Sequence, residues 1–277
     1  MSLFSRNGNG RIPLDYHMHS NVSCDSEATM PQMCRSALDK GIHEIAFTEH
    51  FDLVPGDEGA YYYKPDVYFS LLETARELFA PEGLTIRAGV ELGEFHRYAD
   101  VMQPVLDAYP YDFVLGSLHW VGNDTIFDER YFQREAADDV IPAYFTELLA
   151  MVRHGGFDVL AHADVFKRTA YRVYQHYDIT EWEDWVRPVW QACIEGGIGI
   201  EINAAGMRHT VKQYHPSLEG LRWYREMGGE LLTLGSDGHR PEHVGFCLTD
   251  ALELARAAGF TRVCTFERRQ VAQWIEI

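Results

Sequence analysis

Apolar residues in this chain collect into short runs separated by longer amphipathic stretches. The runs EIAFT (44–48), TIRAGV (85–90), YDFVLGS (111–117), FDVLA (157–161) and ELLTLG (230–235) are rich in Val, Ile, Leu and Phe. Runs of that length and composition predict buried β-strands. Helical spacing marks the stretches near Met30–Lys40 and Asp66–Phe79. Strand and helix patterns then alternate to the C-terminus with no Ser/Pro/Gly-rich linker or low-complexity segment between them. Such alternation predicts a parallel sheet with helices outside it. Seven inner strands are expected, starting near Leu14, Glu44, Thr85, Asp112, Asp158, Ile198 and Leu231. An eighth run, TRVCTF (261–266), brings no histidine or carboxylate except Glu267 and is expected to be an edge or cap outside any site. At 277 residues the chain has room for one large core or two small ones, and the unbroken alternation favours one.

The residues that end these runs turn a scaffold into a candidate site. DYHMH (15–19), TEH (48–50), GVE (89–91), SLH (117–119), LAHAD (160–164) and SDGH (236–239) contain six of the thirteen histidines. They arrive at strand C-terminal ends, where a parallel β/α barrel gathers catalytic groups. Residues two apart on a strand share a face, so His17 with His19, and Asp237 with His239, are each placed to clamp one ion. A lone strand-end histidine such as His119 is more often a satisfied polar residue than a ligand. Six such ends in one chain point instead to a polynuclear metal site. Imidazole nitrogens and carboxylate oxygens without cysteine suit Zn²⁺, Mn²⁺ or Fe²⁺ and hydrolytic chemistry. Ligands drawn from both chain ends imply that the sheet closes, giving a parallel β/α barrel of about seven strand-helix units.

Charge narrows the partners. With 42 acidic against 24 basic residues the formal net charge is −18, which disfavours nucleic acid and anionic membrane surfaces and suits a cationic substrate. Most of the excess is expected to be solvated surface, as at EWED (181–184). The five cysteines are odd in number and lack paired spacing, so a reducing, cytoplasmic compartment is expected. Residues 1–12 are polar and expected to be flexible, with no signal peptide and no membrane-spanning stretch. Neither a GxxxxGK[ST] loop nor a strand-linked GxGxxG is present.

Taken in order, the set HxH (17–19), Asp25, TEH50, GVE91, SLH119, AHAD (161–164), EIN (201–203) and SDGH239 resembles the polymerase and histidinol phosphatase (PHP) superfamily. Within it, the resemblance is to the histidinol-phosphate phosphatase branch, and it runs from Asp15 to His243. It implies a distorted barrel of seven units, with 13–277 as a single PHP-type barrel domain. It also implies two or three divalent transition-metal ions (Mn, Zn or Fe). By motif position His17, His19, Glu91 and Asp237 would hold the first, Glu91, His119 and His162 the second, with Glu91 bridging, and Asp25, His50 and His239 the third. A related branch carries histidine where this chain has Asp25, a harder ligand that alters which metal sits there or how tightly. The resemblance places phosphate-contacting arginines in AHADVFKR and EINAAGMR, which favours Arg168 and Arg208; Lys167 is a further cation beside the first.

The implied reaction is hydrolysis of L-histidinol phosphate to L-histidinol and phosphate, a step of histidine biosynthesis. Water between two ions would supply hydroxide for in-line attack on phosphorus. The alternative is a PHP-type phosphoesterase acting on nucleotides, cyclic phosphates or phosphotyrosine. A non-enzymatic metal-binding module is a further class, and the full ligand set argues against it. The proton for the leaving alkoxide has three admissible sources: His209, His243 and a metal-bound water. Loop FDLVPGDEGAYYY (51–63) is expected to cover the opening, with Asp52, Glu94 and Tyr61 meeting the ammonium or imidazole of the substrate. Oligomeric state is not encoded in any motif.

Overall fold

A computed structural model describes residues 12–277; of the N-terminal segment expected to be flexible, residues 1–11 lie outside the described residues. The strands are β1 (Glu44–Phe51), β2 (Thr85–Gly93), β3 (Phe113–Ser117), β4 (Trp120–Val121), β5 (Asp124–Thr125), β6 (Val159–Leu160), β7 (Gly199–Asn203), β8 (Leu232–Gly235), β9 (Arg262–Glu267) and β10 (Gln270–Glu276). Six of them form one parallel sheet in the order β1-β2-β3-β6-β7-β8. The sheet curls until its two edges face a common neighbour, the segment Leu14–His19. On the β1 side Asp15 N donates to Glu44 O at 3.1 Å and Thr48 N to Met18 O at 2.9 Å. On the β8 side Tyr16 N donates to Leu234 O at 2.8 Å and Asp237 N to His17 O at 2.8 Å. The seventh stave is therefore this segment, which closes a distorted barrel through single parallel bridges at Asp15–Ile45 and Met18–Gly238.

Helices follow the strands as the alternation requires: α1 (Met30–Asp39), α2 (Pro65–Phe79), α3 (Phe95–Ala108), α4 (Glu129–Arg134), α5 (Ala137–His154), α6 (Lys167–Tyr174), α7 (Glu183–Gly196), α8 (Leu218–Glu226) and α9 (Leu248–Ala257). In α2, Tyr68, Leu72, Ala75 and Phe79 are buried, the i, i+4, i+7, i+11 stripe of a helix laid against a sheet. Burying such a stripe contributes about 1.5–3 kcal/mol per large side chain, which outweighs the modest helix propensity of the aromatic residues.

The eighth run is a cap. Among the described residues β9 pairs only with β10, antiparallel, and the turn between them at Arg268 and Arg269 sits against strand starts. Arg269 N donates to Asp112 O at 2.9 Å, and its guanidinium reaches the Asp158 carboxylate at 3.0 Å. Phe266 packs on Phe113 with ring centroids 5.1 Å apart. This hairpin plugs the N-terminal end of the barrel and leaves the C-terminal end open. Among the described residues, no helix is long and apolar enough to cross a membrane.

Candidate metal centre

All nine side chains expected as ligands reach the same end of the barrel. Glu91, near the end of β2, is 1% exposed and stands at the centre. Its Oε2 lies 3.0 Å from His50 Nδ1, 3.3 Å from His17 Nε2 and 3.5 Å from His19 Nε2. Its Oε1 lies 2.8 Å from His162 Nε2 and 3.5 Å from His119 Nε2, and accepts the Ser117 hydroxyl at 2.5 Å. Asp237 Oδ1 is 3.6 Å from His19 Nε2 and 3.5 Å from His239 Nδ1. Asp25, half-exposed on the loop before α1, places Oδ2 2.9 Å from His239 Nε2 and 3.5 Å from His50 Nε2. The rings of His50 and His239 each stack on His19 with centroids 4.2 Å apart.

The backbone is bent to aim these groups. His162 and Asp237 have φ of 22° and 52°, in the left-handed region that residues other than glycine rarely occupy. Strain of this kind persists where surrounding contacts over-determine it, and two positions expected as ligands carry it here. At Asp237 the brace is Arg208, whose two terminal nitrogens donate to Ser236 O and Asp237 O, both at 2.7 Å. Gly235 lets the end of β8 pass close to His17 and Glu201, since a Cβ there would overlap Glu201 Oε1 and the His17 side chain. Gly235→Ala is accordingly expected to destabilise the fold by roughly 1–3 kcal/mol, the usual cost of overpacking a filled site. A thermal unfolding midpoint equal to that of the parent protein would show that the contact relaxes freely.

Electrostatics follow from this crowding. Burial pushes the Glu91 carboxyl up, but the imidazoles of His17 and His50 outweigh it and hold the group well below the usual carboxylate range. Burial, with His50 and His239 alongside, holds the His19 imidazole far below its usual value. Burial acts the same way on His119, yet Asp52 and Glu91 overcome it and raise that ring to about 10. His17 Nε2, His19 Nε2, His50 Nδ1, Asp52 Oδ1 and Glu91 Oε2 are buried without hydrogen-bond partners among the described residues. Buried polar atoms are seldom left unsatisfied. Donor atoms from four sets lie within 4.8 Å of one another: His17, His19 and Asp237; His17, Glu91 and His162; His19, His50 and His239; and His50, Asp52 and His119. Converging, unpartnered nitrogen and oxygen donors fit divalent cations, and with no cysteine among them they fit Zn²⁺, Mn²⁺ or Fe²⁺.

Several expectations need correction. Asp52 is 4% exposed and directed inward, with Oδ1 3.4 Å from His119 Nδ1 and Oδ2 3.6 Å from His50 Nδ1, so its oxygens join the cluster of donor atoms. The signal was available, because Asp52 follows His50 by two residues and shares its face. Glu94 is fully buried behind His119 and accepts the backbone N–H groups of His119 and Trp120 at 2.5 and 2.9 Å. Tyr61 is 64% exposed and does not line the cleft. Lys167 is fully buried and donates to Asp164 Oδ2 at 2.8 Å. Glu201, whose task no spacing revealed, faces His17 Nδ1 with Oε1 at 2.8 Å and accepts His162 N at Oε2 at 2.9 Å. A carboxylate in that position fixes the ring orientation of a ligating histidine.

The centre forms the floor of a cleft of about 800 Å³. One wall carries Arg168 and, one helical turn on, Arg172. Arg172 Nε donates to Glu129 Oε1 at 2.7 Å, whereas among the described residues no carboxylate lies within ion-pair distance of Arg168. The Arg168 guanidinium rests 4.2 Å over the Phe127 ring. Asp57, Glu58, Asp128 and Trp120 also line the cleft, with the Trp120 indole N–H donating to Asp57 Oδ2 at 2.7 Å. Loop 51–63 contributes Asp52, Gly56, Asp57 and Glu58 to the cleft lining. Arg208 is absent from the cleft lining because its nitrogens are turned to the Ser236 and Asp237 carbonyls. His209 lies near both arginines; burial and then the charges of Arg168 and Arg208 lower it to about 4, so it carries no extra proton at neutral pH.

Comparison with known proteins agrees with this geometry. The model of the PHP domain matches residues 15–205. A probable histidinol-phosphatase of Clostridium acetobutylicum is 29% identical over 259 residues, spanning 92% of this chain and 97% of the relative. The histidinol-phosphatase of Lactococcus lactis is 25% identical over 268 residues, spanning 93% and 96%. The solved histidinol phosphate phosphatase of Lactococcus lactis, complexed with zinc, L-histidinol and phosphate, superposes with a TM-score of 0.85 over 95% of this chain and 99% of that one, at 24% identity.

Proposed function

Since the chain belongs to the PHP domain family, we propose that it is a metal-dependent phosphomonoesterase hydrolysing L-histidinol phosphate to L-histidinol and phosphate. One observation carries the chemistry: donor atoms unpartnered among the described residues converge on Glu91 at the floor of a cleft whose wall presents a guanidinium, Arg168, with no carboxylate among those residues to pair with it. The substrate assignment draws on relatives bearing the histidinol-phosphatase name and matched over more than nine tenths of both chains.

Two or three divalent ions are assigned to the chain. His17, His19, Glu91 and Asp237 would hold the first, Glu91, His119 and His162 the second, and Asp25, His50 and His239 the third, with Asp52 beside His50 and His119. Bound divalent ions supply Lewis acidity that acidifies water and offsets charge on the phosphoryl oxygens. The protein's own groups do the rest. Glu201 holds the His17 ring and the His162 backbone in place. Arg168 takes phosphoryl oxygens in a bidentate fork. Elsewhere in the cleft lining, Asp57, Glu58 and Asp128 with the Trp120 face suit a substrate end that is cationic and flat. His209 and His243 are both lowered from the usual imidazole range, by burial first and by Arg208 among the neighbouring charges. The whole of 13–277 acts as one barrel domain in this reading.

A phosphate-release panel tests the assignment. Protein reconstituted with Zn²⁺ or Mn²⁺ is expected to prefer L-histidinol phosphate to phosphotyrosine, nucleoside monophosphates and a cyclic diester. Preference for any of the others by tenfold, about 1.4 kcal/mol in transition-state binding, overturns the substrate and leaves the metal centre standing.

A further inference from the structure

Behind the metal centre lies a buried ionic cluster that the chemistry above does not use. Lys167, the first residue of α6, is fully buried and its ammonium donates to Asp164 Oδ2 at 2.8 Å and to Tyr214 O at 2.6 Å. The other Asp164 oxygen lies 3.2 Å from His215 Nδ1, and the Tyr177 hydroxyl donates to Oδ2 at 3.4 Å. A buried ion pair is a poor source of stability, because desolvating both charges costs as much as their attraction returns. Its value must be sought in what it holds.

Both ends of the cluster lead to the site. Asp164 and Lys167 lie in the turn that joins the ligand His162 to the cleft cation Arg168, and they fix that turn to the 211–215 segment through Tyr214 O and His215. His215 exchanges both backbone hydrogen bonds with Asn203, at 2.9 and 3.0 Å. The Asn203 amide donates to Glu201 Oε2 at 3.1 Å, and Glu201 is the carboxylate that orients His17 and takes the His162 N–H. A continuous set of polar contacts therefore runs from Lys167 to two ligands, and the same cluster anchors the turn that projects Arg168.

We propose that the Asp164–Lys167–His215 cluster is a positioning device that sets Arg168 against the metal centre, acting on phosphate affinity without touching substrate. It rests on the phosphatase reading only for the place where phosphate binds, so its test uses inorganic phosphate and metal content and not histidinol phosphate turnover. The double variant Asp164→Asn with Lys167→Met removes both charges together, which avoids stranding one buried ion. In metal-loaded protein it is expected to retain the parent metal content by elemental analysis while binding inorganic phosphate roughly 10–100-fold more weakly by calorimetry, the usual cost of losing an orienting partner. His215→Gln, which keeps a side-chain donor toward Asp164, is expected to lose less than the double variant. A folded double variant with parent phosphate affinity overturns the proposal. Should the double variant not fold, parent affinity in both His215→Gln and His215→Leu overturns it equally. If wild-type protein binds inorganic phosphate but does not hydrolyse histidinol phosphate, the substrate assignment fails and the cluster's role is still measured.

Discussion

Glu91→Gln is expected to remove phosphatase activity more completely than any other single ligand change, and far more than Asp25→Asn. The reason is geometric. Both Glu91 oxygens are engaged, one facing His17, His19 and His50 and the other facing His119 and His162. An amide offers one oxygen in place of two and turns N–H donors toward nitrogen atoms that need an acceptor or a cation. Every assigned ion except the third loses a ligand at once. The loss in kcat/KM should exceed the roughly 10–100-fold that follows removal of a residue that only orients a ligand. Elemental analysis is expected to fall in parallel. Asp25 is half-exposed and, among the described residues, pairs with His50 and His239 alone, so its amide variant should keep the ions held by the other residues. If Asp25→Asn proves the more damaging change, Glu91 does not bridge and the ion assignment must be redrawn.

The second large effect is expected at Arg168. Its guanidinium is the one on the cleft wall that no carboxylate among the described residues neutralises, and Phe127 supports it from beneath. Burial lowers its affinity for its proton from the ordinary guanidinium value, as expected of a cation held out of water. Such a group is costly until an anion arrives, and it repays the cost at the phosphoryl oxygens. Arg168→Ala should lower kcat/KM by on the order of 10²-fold with metal content intact, as for lost charge-assisted bonds worth about 1.5–3 kcal/mol. Arg208→Ala should behave differently, because that side chain holds the strained loop carrying Asp237. It is expected to reduce metal retention, measured by elemental analysis after dialysis against a weak chelator. Intact metal with weakened phosphate binding in Arg208→Ala would place this arginine on the substrate after all.

The chain's pattern alone determined the barrel and the end at which its chemistry gathers. Short apolar runs alternating with amphipathic helices allow little other than a parallel sheet with helices outside, and polar residues terminating those runs must emerge at one rim. The periodicity of two along an extended backbone was enough to pair His17 with His19, and it would also have paired His50 with Asp52. Only the tertiary structure decided the parts that depend on contacts between distant segments. The run 261–266 has strand composition like the others, yet pairing with 270–276 and docking on Asp112 and Asp158 made it a plug beneath the barrel. Three basic residues near the motifs looked alike in sequence, and they divided into a buried ion-pair partner, Lys167, a cleft cation, Arg168, and a backbone brace, Arg208. The division follows from side-chain direction at turns, where His162 and Asp237 adopt positive φ and no periodicity applies. Direction there is set by what each group meets across the fold, and a linear pattern carries no record of that.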